Sequence, residues 1–316
     1  MTDSVVAAPL TFRRSLLAVL GLALVLMLSA LDQTVIGNAM PYIVADLGNF
    51  DLYAWVATSY LLTSIITVPI FGRLGDYYGR KYFVIAATLL FTLSSALCSF
   101  AGTMQTLILW RAVQGIAGGM LVGTAFACIP ELFPDTRQRL RWQILFSTAF
   151  SIVNALGPTL GGILTEQYGW RSVFYLNLPL GALALVVSWI YLPYIKPPKK
   201  AAIRLDWLGA LLIMCALGSM QLLAEFLPSN GSAFSLIGLM LACGLSAALL
   251  VYQQRRAHSP ILPPALFAIG PVKQLFTISI LIGAVLFTLL YFMPLLFQGD
   301  TDIRRSRRRG WSHRWV

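Results

Sequence analysis

Nine apolar runs, each about twenty residues long or longer, follow one another along almost the whole chain. They lie at residues 16–43, 52–72, 82–102, 105–130, 142–165, 172–195, 207–227, 233–252 and 274–298. A helix of about twenty apolar residues crosses the ~30 Å hydrocarbon core of a bilayer, whereas barrel strands would alternate in polarity. The pattern therefore predicts an all-α integral membrane protein with nine spans in the lipid bilayer.

The composition and charge distribution agree with this prediction. Hydrophobic residues make up 58% of the 316 residues and charged residues only 11%, against about one quarter charged in soluble domains. With the N-terminus inside, fifteen lysines and arginines fall in inner segments and only Arg171 falls in an outer loop. The positive-inside rule then predicts a cytoplasmic N-terminus. It also accounts for the net charge of +11 without a nucleic-acid partner.

The sequence indicates neither an enzyme nor a metal site. The four cysteines lie in apolar runs and show no metal-ligand or redox spacing: Cys98, Cys128, Cys215 and Cys243. No set of nucleophile, base and orienting group stands out, and no phosphate-binding glycine loop is recognisable. We therefore expect no catalytic residue, no cofactor and no metal.

Two charged residues lie within predicted spans, Asp32 in the first and Arg111 in the fourth. A charge in the hydrocarbon region costs at least about 2.5 kcal/mol and usually marks a functional site. Counted along ideal helices, both residues fall in the outer half of the membrane, so they could form a pair. A carboxyl group in that position suits reversible proton binding. Two alternatives stay open: Asp32 caps or snorkels at a helix end, and Arg111 only binds backbone carbonyls.

Glycines recur every four residues on the fourth span, at Gly115, Gly119 and Gly123. Small residues at this spacing let helices approach closely, so we expect static packing there. The fifth span contains Gly157, Pro158, Gly161 and Gly162. Because proline removes a backbone hydrogen bond, this span is predicted to bend and to act as a moving part.

The segment Gly72–Lys81, here called the gate segment, is a short polar turn between the second and third predicted spans. It is rich in glycine and charge, and we expect it to form a gate. The residues assigned to that gate are Gly72, Gly75, Asp76, Gly79, Arg80 and Lys81.

Five segments, in the right order, resemble motifs of the major facilitator superfamily and, within it, of the fourteen-span drug:proton antiporters of the EmrB/QacA type. They are Leu31–Pro41, Gly72–Lys81, Leu107–Gly119, Gly157–Gly162 and Tyr168–Pro179, and the resemblance covers about residues 10–298. It implies a multidrug efflux antiporter of the inner or plasma membrane that exports a drug, imports a proton and uses the proton motive force. Small lipophilic substrates, cations among them, would be expected. Some members also recruit an adaptor and an outer-membrane channel.

The resemblance also implies roles for individual residues. Asp32 would carry protons or engage cationic substrates, with Arg111 and Gln114 assisting the coupling. Asp76 and Arg80 would latch the inner gate. The segment Gly157–Gly162, which matches the family's antiporter motif, favours efflux over uptake. Two positions depart from the family pattern: Tyr77 stands where a basic residue is usual, and Val153 replaces the first glycine of the fifth-span motif.

The implied organisation is a major facilitator fold that is incomplete. Its parts are an N-terminal six-span bundle at 1–195, a cytoplasmic linker at 196–206, an extra two-span insert at 207–252, and a loop with the first span of a C-terminal bundle at 253–298. Residues 299–316 form an arginine-rich tail that abandons the preceding composition. We interpret this tail as a frame-shifted or engineered end of a truncated chain, with a genuine basic tail as the alternative.

Three functional interpretations remain open from the sequence. The first is a drug:proton antiporter, and the second is a nonfunctional or regulatory membrane fragment of one. The third, a channel, has little support because no ring of pore charges and no carbonyl filter is visible. Loss of efflux in the Asp32→Asn variant would favour the first.

Overall fold

The computed structural model describes residues 12–133, 135–195, 206–226, 233–257, 260–261 and 264–285. Within these ranges every regular element is a helix. They are α1 Phe12–Leu47, a short 3-10 turn Phe50–Leu52, α2 Tyr53–Tyr78, α3 Arg80–Ser99, α4 Met104–Leu132, α5 Thr136–Tyr168, α6 Arg171–Tyr175, α7 Asn177–Tyr191, α8 Trp207–Phe226, α9 Ala233–Arg256, α10 Pro264–Ala268 and α11 Gly270–Val285. The all-α fold class predicted from the sequence is confirmed.

Seven of these helical segments are long and apolar enough to cross a membrane, with α6 and α7 counted together as one segment, Arg171–Tyr191. They correspond to the first six predicted spans and the eighth. Two shorter apolar helices, Trp207–Leu223 and Gly270–Val285, fall at the seventh and ninth predicted spans. The rest of the ninth span at 286–298, the linker at 196–205 and the tail at 299–316 lie outside the described residues.

The gate segment is not the ten-residue turn that the sequence predicted. Helix α2 continues through it to Tyr78, and α3 begins at Arg80, so Gly79 alone separates the two helices. Gly79 has φ +88°, a conformation that glycine adopts without the steric cost other residues meet. One residue therefore reverses the chain, and the charged groups of the segment sit on helices.

The sixth predicted span, 172–195, is divided in two. The short helix α6 ends at Tyr175 and α7 starts at Asn177, with Leu176 between them. Asn177, a polar residue, begins α7 and is 1% exposed, although most side chains of this helix are not buried.

The helices from α1 to α9 belong to one compact unit, and α10 and α11 belong to a second. In the first unit, α4 packs against α2 and α3, while α1 packs against α5 and α7. Glycines allow the close α2–α4 contact: a Cβ on Gly115 would collide with the backbone of Tyr60, and one on Gly119 with that of Ser64. The close packing expected for these glycines is confirmed.

Helices α8 and α9 form a hairpin whose α8 lies against α2. Asp206, just before α8, joins the two helices at one end. Its Oδ1 accepts hydrogen bonds from Gly209 N at 2.8 Å and Gln253 Nε2 at 3.2 Å, and its Oδ2 accepts one from Gln254 Nε2 at 3.0 Å. Side-chain groups of α9 thus satisfy a carboxylate that would otherwise be costly near the membrane.

Candidate functional site

The carboxylate of Asp32 is at the centre of a buried group of polar side chains. Asp32 lies on α1 and is 1% exposed. Its Oδ2 accepts a hydrogen bond from Arg111 Nη1, and the two side chains form an ion pair. Its Oδ1 accepts from Gln114 Nε2 at 2.9 Å and from Asn177 Nδ2 at 3.3 Å. We call Asp32, Arg111, Gln114 and Asn177 the buried cluster.

Arg111 on α4 has further partners besides Asp32. Its Nη1 also donates to Gln114 Oε1 at 2.9 Å, and its Nε donates to Val56 O at 3.3 Å. The guanidinium carbon lies 4.4 Å from the centre of the Tyr60 ring, an arrangement that favours a cation. The two possibilities left open for Arg111, ion pairing and bonding to a backbone carbonyl, are both realised.

The packing of three helices explains how these charges meet. Asp32 lies on the buried side of α1 together with Leu31 and Val35. Gly115 follows Arg111 by one turn and lets α4 approach α2 closely enough for the guanidinium to cover Tyr60. The capping or snorkelling alternative for Asp32 is thereby excluded, since its carboxylate ends in the protein interior and is 0% exposed.

The antiporter motif on α5 packs against α1 beside Asp32. A Cβ on Gly157 would collide with Thr34, and one on Gly161 would lie 2.7 Å from Val35 O. Pro158 is inside α5, and its carbonyl accepts a hydrogen bond from Asn38 Nδ2 at 2.5 Å. At Gly162 the nearest atom to such a Cβ is Asn38 Nδ2 at 4.0 Å. The motif therefore contacts the turns of α1 that follow Asp32.

The gate segment forms a second charged group, separate from the buried cluster. Arg80 on α3 is bonded to Asp76 on α2 and to the carbonyl of Ala127 on α4, and its Nε lies 3.2 Å from Glu131 Oε1. Lys81 Nζ donates to Trp189 O on α7 at 2.8 Å. These contacts join the ends of four helices.

The glycines of the gate segment lie at close helix contacts. A Cβ on Gly75 would be 3.1 Å from Arg80 Cγ, and one on Gly72 would be 3.5 Å from Gly123 O. At Gly79 the added atom would meet the Tyr194 ring at 2.7 Å, in addition to the positive φ. Gly75 therefore leaves space for the Arg80 side chain and Gly79 for the Tyr194 ring, whereas a Cβ on Gly72 would make only an ordinary van der Waals contact.

Sequence reasoning did not assign a role to two residues of these groups, Asn177 and Glu131. Asn177 lies within the segment Tyr168–Pro179 that resembles a family motif, and Glu131 lies just beyond the predicted end of the fourth span. A polar residue at the edge of an apolar run is the available signal, but it does not say which helix the residue faces. Contacts between distant helices supply that information.

A family profile described as Major Facilitator Superfamily matches residues 22–306. The chain belongs to the major facilitator superfamily. A crystal structure of the human organic anion transporter MFSD10 (TETRAN) shares the fold, with a TM-score of 0.54 at 20% identity over 66% of this chain and 55% of that one. The superfamily is one of multi-pass membrane transporters, in keeping with the seven apolar helical segments long enough to cross a membrane.

Relatives of higher identity are named as multidrug transporters. Multidrug resistance protein 3 of Bacillus subtilis is 36% identical over 284 residues, covering 89% of this chain and 54% of that protein. The multidrug transporter protein MdtP of the same organism is 32% identical over 296 residues, covering 93% of this chain and 54% of that protein. The chain thus spans about half the length of these relatives.

Proposed function

We propose that the protein is the proton-binding part of a multidrug efflux antiporter of the plasma membrane, of the fourteen-span EmrB/QacA type. The observation that carries the proposal is the buried Asp32, held by one arginine and two amides in the interior of a transporter fold. An acidic group in that place is expensive and is usually functional. The names of the relatives at 36% and 32% identity support drugs as the substrate class.

The proposed exchange uses the ion pair as its coupling element. When Asp32 is ionised, Arg111 neutralises it and the cluster is satisfied. When Asp32 takes up a proton, the ion pair is lost and Arg111 keeps only Gln114 Oε1, Val56 O and the Tyr60 ring. A buried cation without its counter-charge is unfavourable. Protonation therefore favours a rearrangement of α1 relative to α4, and a lipophilic cation near Asp32 would compete with the proton.

The gate segment and the antiporter motif complete the proposed cycle. The bonds of Arg80 to Asp76 and Ala127 hold the ends of α2, α3 and α4 together, as a latch on the cytoplasmic side would. The basic residues assigned to inner segments support a cytoplasmic N-terminus. The antiporter motif lies against α1 next to Asp32, so bending of α5 at Pro158 would shift the helix that carries the proton site.

Drug efflux tests this proposal directly. Cells deprived of their own efflux pumps would express the complete product of the gene, with Asp32→Asn as the test variant and Asp46→Asn as the matched control. Both aspartates lie on α1 and both pair with an arginine, Arg111 and Arg171. Efflux of a fluorescent lipophilic cation should fall to background in Asp32→Asn and persist in Asp46→Asn. Normal efflux in Asp32→Asn would contradict the proposal.

We further propose that a second helical bundle completes the transporter, because transporters of this kind alternate by rocking one half against the other. The nucleotide sequence beyond the codon for Gln298, translated in all three frames, tests this. A frame that resumes apolar spans would identify the arginine-rich residues as a frame-shifted read. If no frame does so, the interpretation as a regulatory or nonfunctional fragment takes precedence.

A further inference from the structure

Two amide side chains bind the same oxygen of Asp32, and their surroundings differ. Gln114 is held at both ends: its Nε2 donates to Asp32, while its Oε1 accepts from Arg111 Nη1 at 2.9 Å and from Cys98 Sγ at 3.5 Å. Rotating this amide by half a turn would put its NH2 group against the donor groups of Arg111 and Cys98. Gln114 therefore always presents a donor to Asp32.

Asn177 is held at one end only. Its Nδ2 donates to Asp32 Oδ1 at 3.3 Å and to Ser95 Oγ at 3.0 Å. Its Oδ1 is buried and has no hydrogen-bond partner in the part of the chain that the structure describes. A buried acceptor without a partner is uncommon in native proteins and calls for an explanation. Half a turn of this amide would break no bond to its oxygen, and it would replace the two bonds that Nδ2 donates to Asp32 and Ser95 with an acceptor facing the same two groups.

The protonation state of Asp32 decides whether its carboxyl group requires a hydrogen-bond donor or an acceptor from the Asn177 amide. An ionised carboxylate only accepts hydrogen bonds, so both amides must present NH2 groups to it. A protonated carboxyl group carries an O–H that must donate, and Arg111 and Gln114 offer only donors to it. Of the side chains bonded to Asp32, Asn177 alone can turn an acceptor toward that O–H.

Ser95 is suited to both orientations of Asn177. Its hydroxyl donates to Phe174 O at 3.0 Å while its oxygen accepts from Asn177 Nδ2. A hydroxyl rotates freely and can donate as well as accept. After half a turn of the amide, Ser95 can move its single hydrogen from Phe174 O to Asn177 Oδ1. A bond between Ser95 and Asn177 therefore exists in either state, and the bond to Phe174 O is given up in the second.

We propose that Asn177 is a proton-responsive positioning residue, whose amide turns by half a rotation to accept a hydrogen bond from Asp32 when that carboxyl takes up a proton. The proton comes from bulk water and binds to Oδ1, and the O–H then donates to Asn177 Oδ1. Among the described residues, the charged and titratable groups next to Asp32 are Arg111 from α4, Tyr60 from α2 and Cys98 from α3. This inference rests on the proposed proton-binding role of Asp32.

Because of its position, rotation of the Asn177 amide would change the contacts between α7 and its neighbouring helices. As the first residue of α7, it joins that helix to α1 through Asp32 and to α3 through Ser95. Gain of a proton would replace a long N–H···O contact with an O–H···O bond, which is usually shorter. The link between α1 and α7 would then tighten as the ion pair between α1 and α4 is lost.

Infrared difference spectra between high and low pH, recorded on the protein in lipid nanodiscs, test the inference. The C=O band of protonated Asp32 is assigned by its absence in Asp32→Asn. In Asn177→Leu this band should move to higher frequency, because the O–H has lost its acceptor. Gln114→Leu is the matched control. In this variant the C=O band of Asp32 should stay at the frequency of a carboxyl group whose O–H donates a hydrogen bond, because Gln114 donates to Asp32 and does not accept its O–H. An unchanged band in Asn177→Leu would overturn the proposal.

A second measurement needs no substitution in the amides and covers the case in which Asn177→Leu fails to fold. With isotope-labelled asparagine side chains, the wild-type difference spectrum should contain an amide band that disappears in Asp32→Asn. A spectrum with the Asp32 band but no asparagine amide change would refute the rotation and leave the proton site intact. If the Asp32 band itself is missing, the proposed function fails first.

Discussion

Helix α1 carries two aspartates that each form an ion pair with an arginine. One pair is buried in the protein and the other is exposed. The Asp32 and Arg111 side chains are 0% and 1% exposed, and two amides complete the coordination of the carboxylate. The Asp46 and Arg171 side chains are 48% and 41% exposed, and Trp170 Nε1 adds a hydrogen bond to Asp46 at 2.9 Å. Their separation is fourteen residues, about four helical turns.

The two pairs consist of the same residue types, so the difference in burial decides how strongly the loss of each pair affects the protein. Water and salt ions can replace either partner of the exposed pair, so its loss changes little. Water and salt ions do not reach the Asp32 and Arg111 side chains, which are 0% and 1% exposed, so under the proposed function a change in the charge of one partner would be answered by movement. The exposed pair is suited to joining the end of α1 to the start of α6, whereas the buried pair is suited to coupling.

Removal of Arg111 should have the largest effect on stability. Arg111→Leu leaves a carboxylate buried without its counter-charge, which typically costs about 3–5 kcal/mol. Thermal denaturation in detergent, followed by the loss of monodisperse protein in size-exclusion chromatography, measures the effect. Adding Asp32→Asn to this variant should recover part of the loss, because the unpaired charge disappears. Equal melting temperatures for the single and double variants would show that the charge is not what matters.

Removal of the Gln114 amide should have an intermediate effect. Gln114→Leu deletes a donor to Asp32 and an acceptor for Arg111 while it keeps the ion pair and approximately the side-chain volume. Leaving buried polar groups unsatisfied costs about 1–3 kcal/mol. The same chromatographic assay should place this variant between wild type and Arg111→Leu. A melting temperature at or below that of Arg111→Leu would mean that Gln114, not the ion pair, holds the cluster together.

Disruption of the exposed pair should have the smallest effect and should respond to salt. Arg171→Leu is expected to lower the melting temperature far less than Arg111→Leu. The Debye length falls from ~10 Å to ~3 Å between 0.1 and 1 M salt, so the small difference from wild type should shrink further in high salt. The larger difference for Arg111→Leu should persist, because a buried pair is screened less. If both variants responded to salt alike, the contrast between the pairs would be lost.

The two sites differ in how far the sequence could predict them. Asp32 and Arg111 stood out because charge is rare in apolar runs, and ideal helix geometry already put them at similar depth. Asn177 gave no such signal, since a single amide beside a loop is unremarkable in a membrane sequence. The gate segment was recognised from its composition, but its form was predicted wrongly: helix formation continues through its charged residues, and the positive φ of Gly79 makes the whole turn.

The sequence by itself determined the class of the protein, the existence of its spans and the residues most costly to bury. These follow from hydrophobicity and length, which act locally along the chain. The tertiary structure alone decided which of those residues meet, that Arg111 covers Tyr60, and that Asn177 reaches Asp32 from a position 145 residues away. Such contacts depend on which helix faces which, and this is set by the packing of small residues between helices distant in sequence.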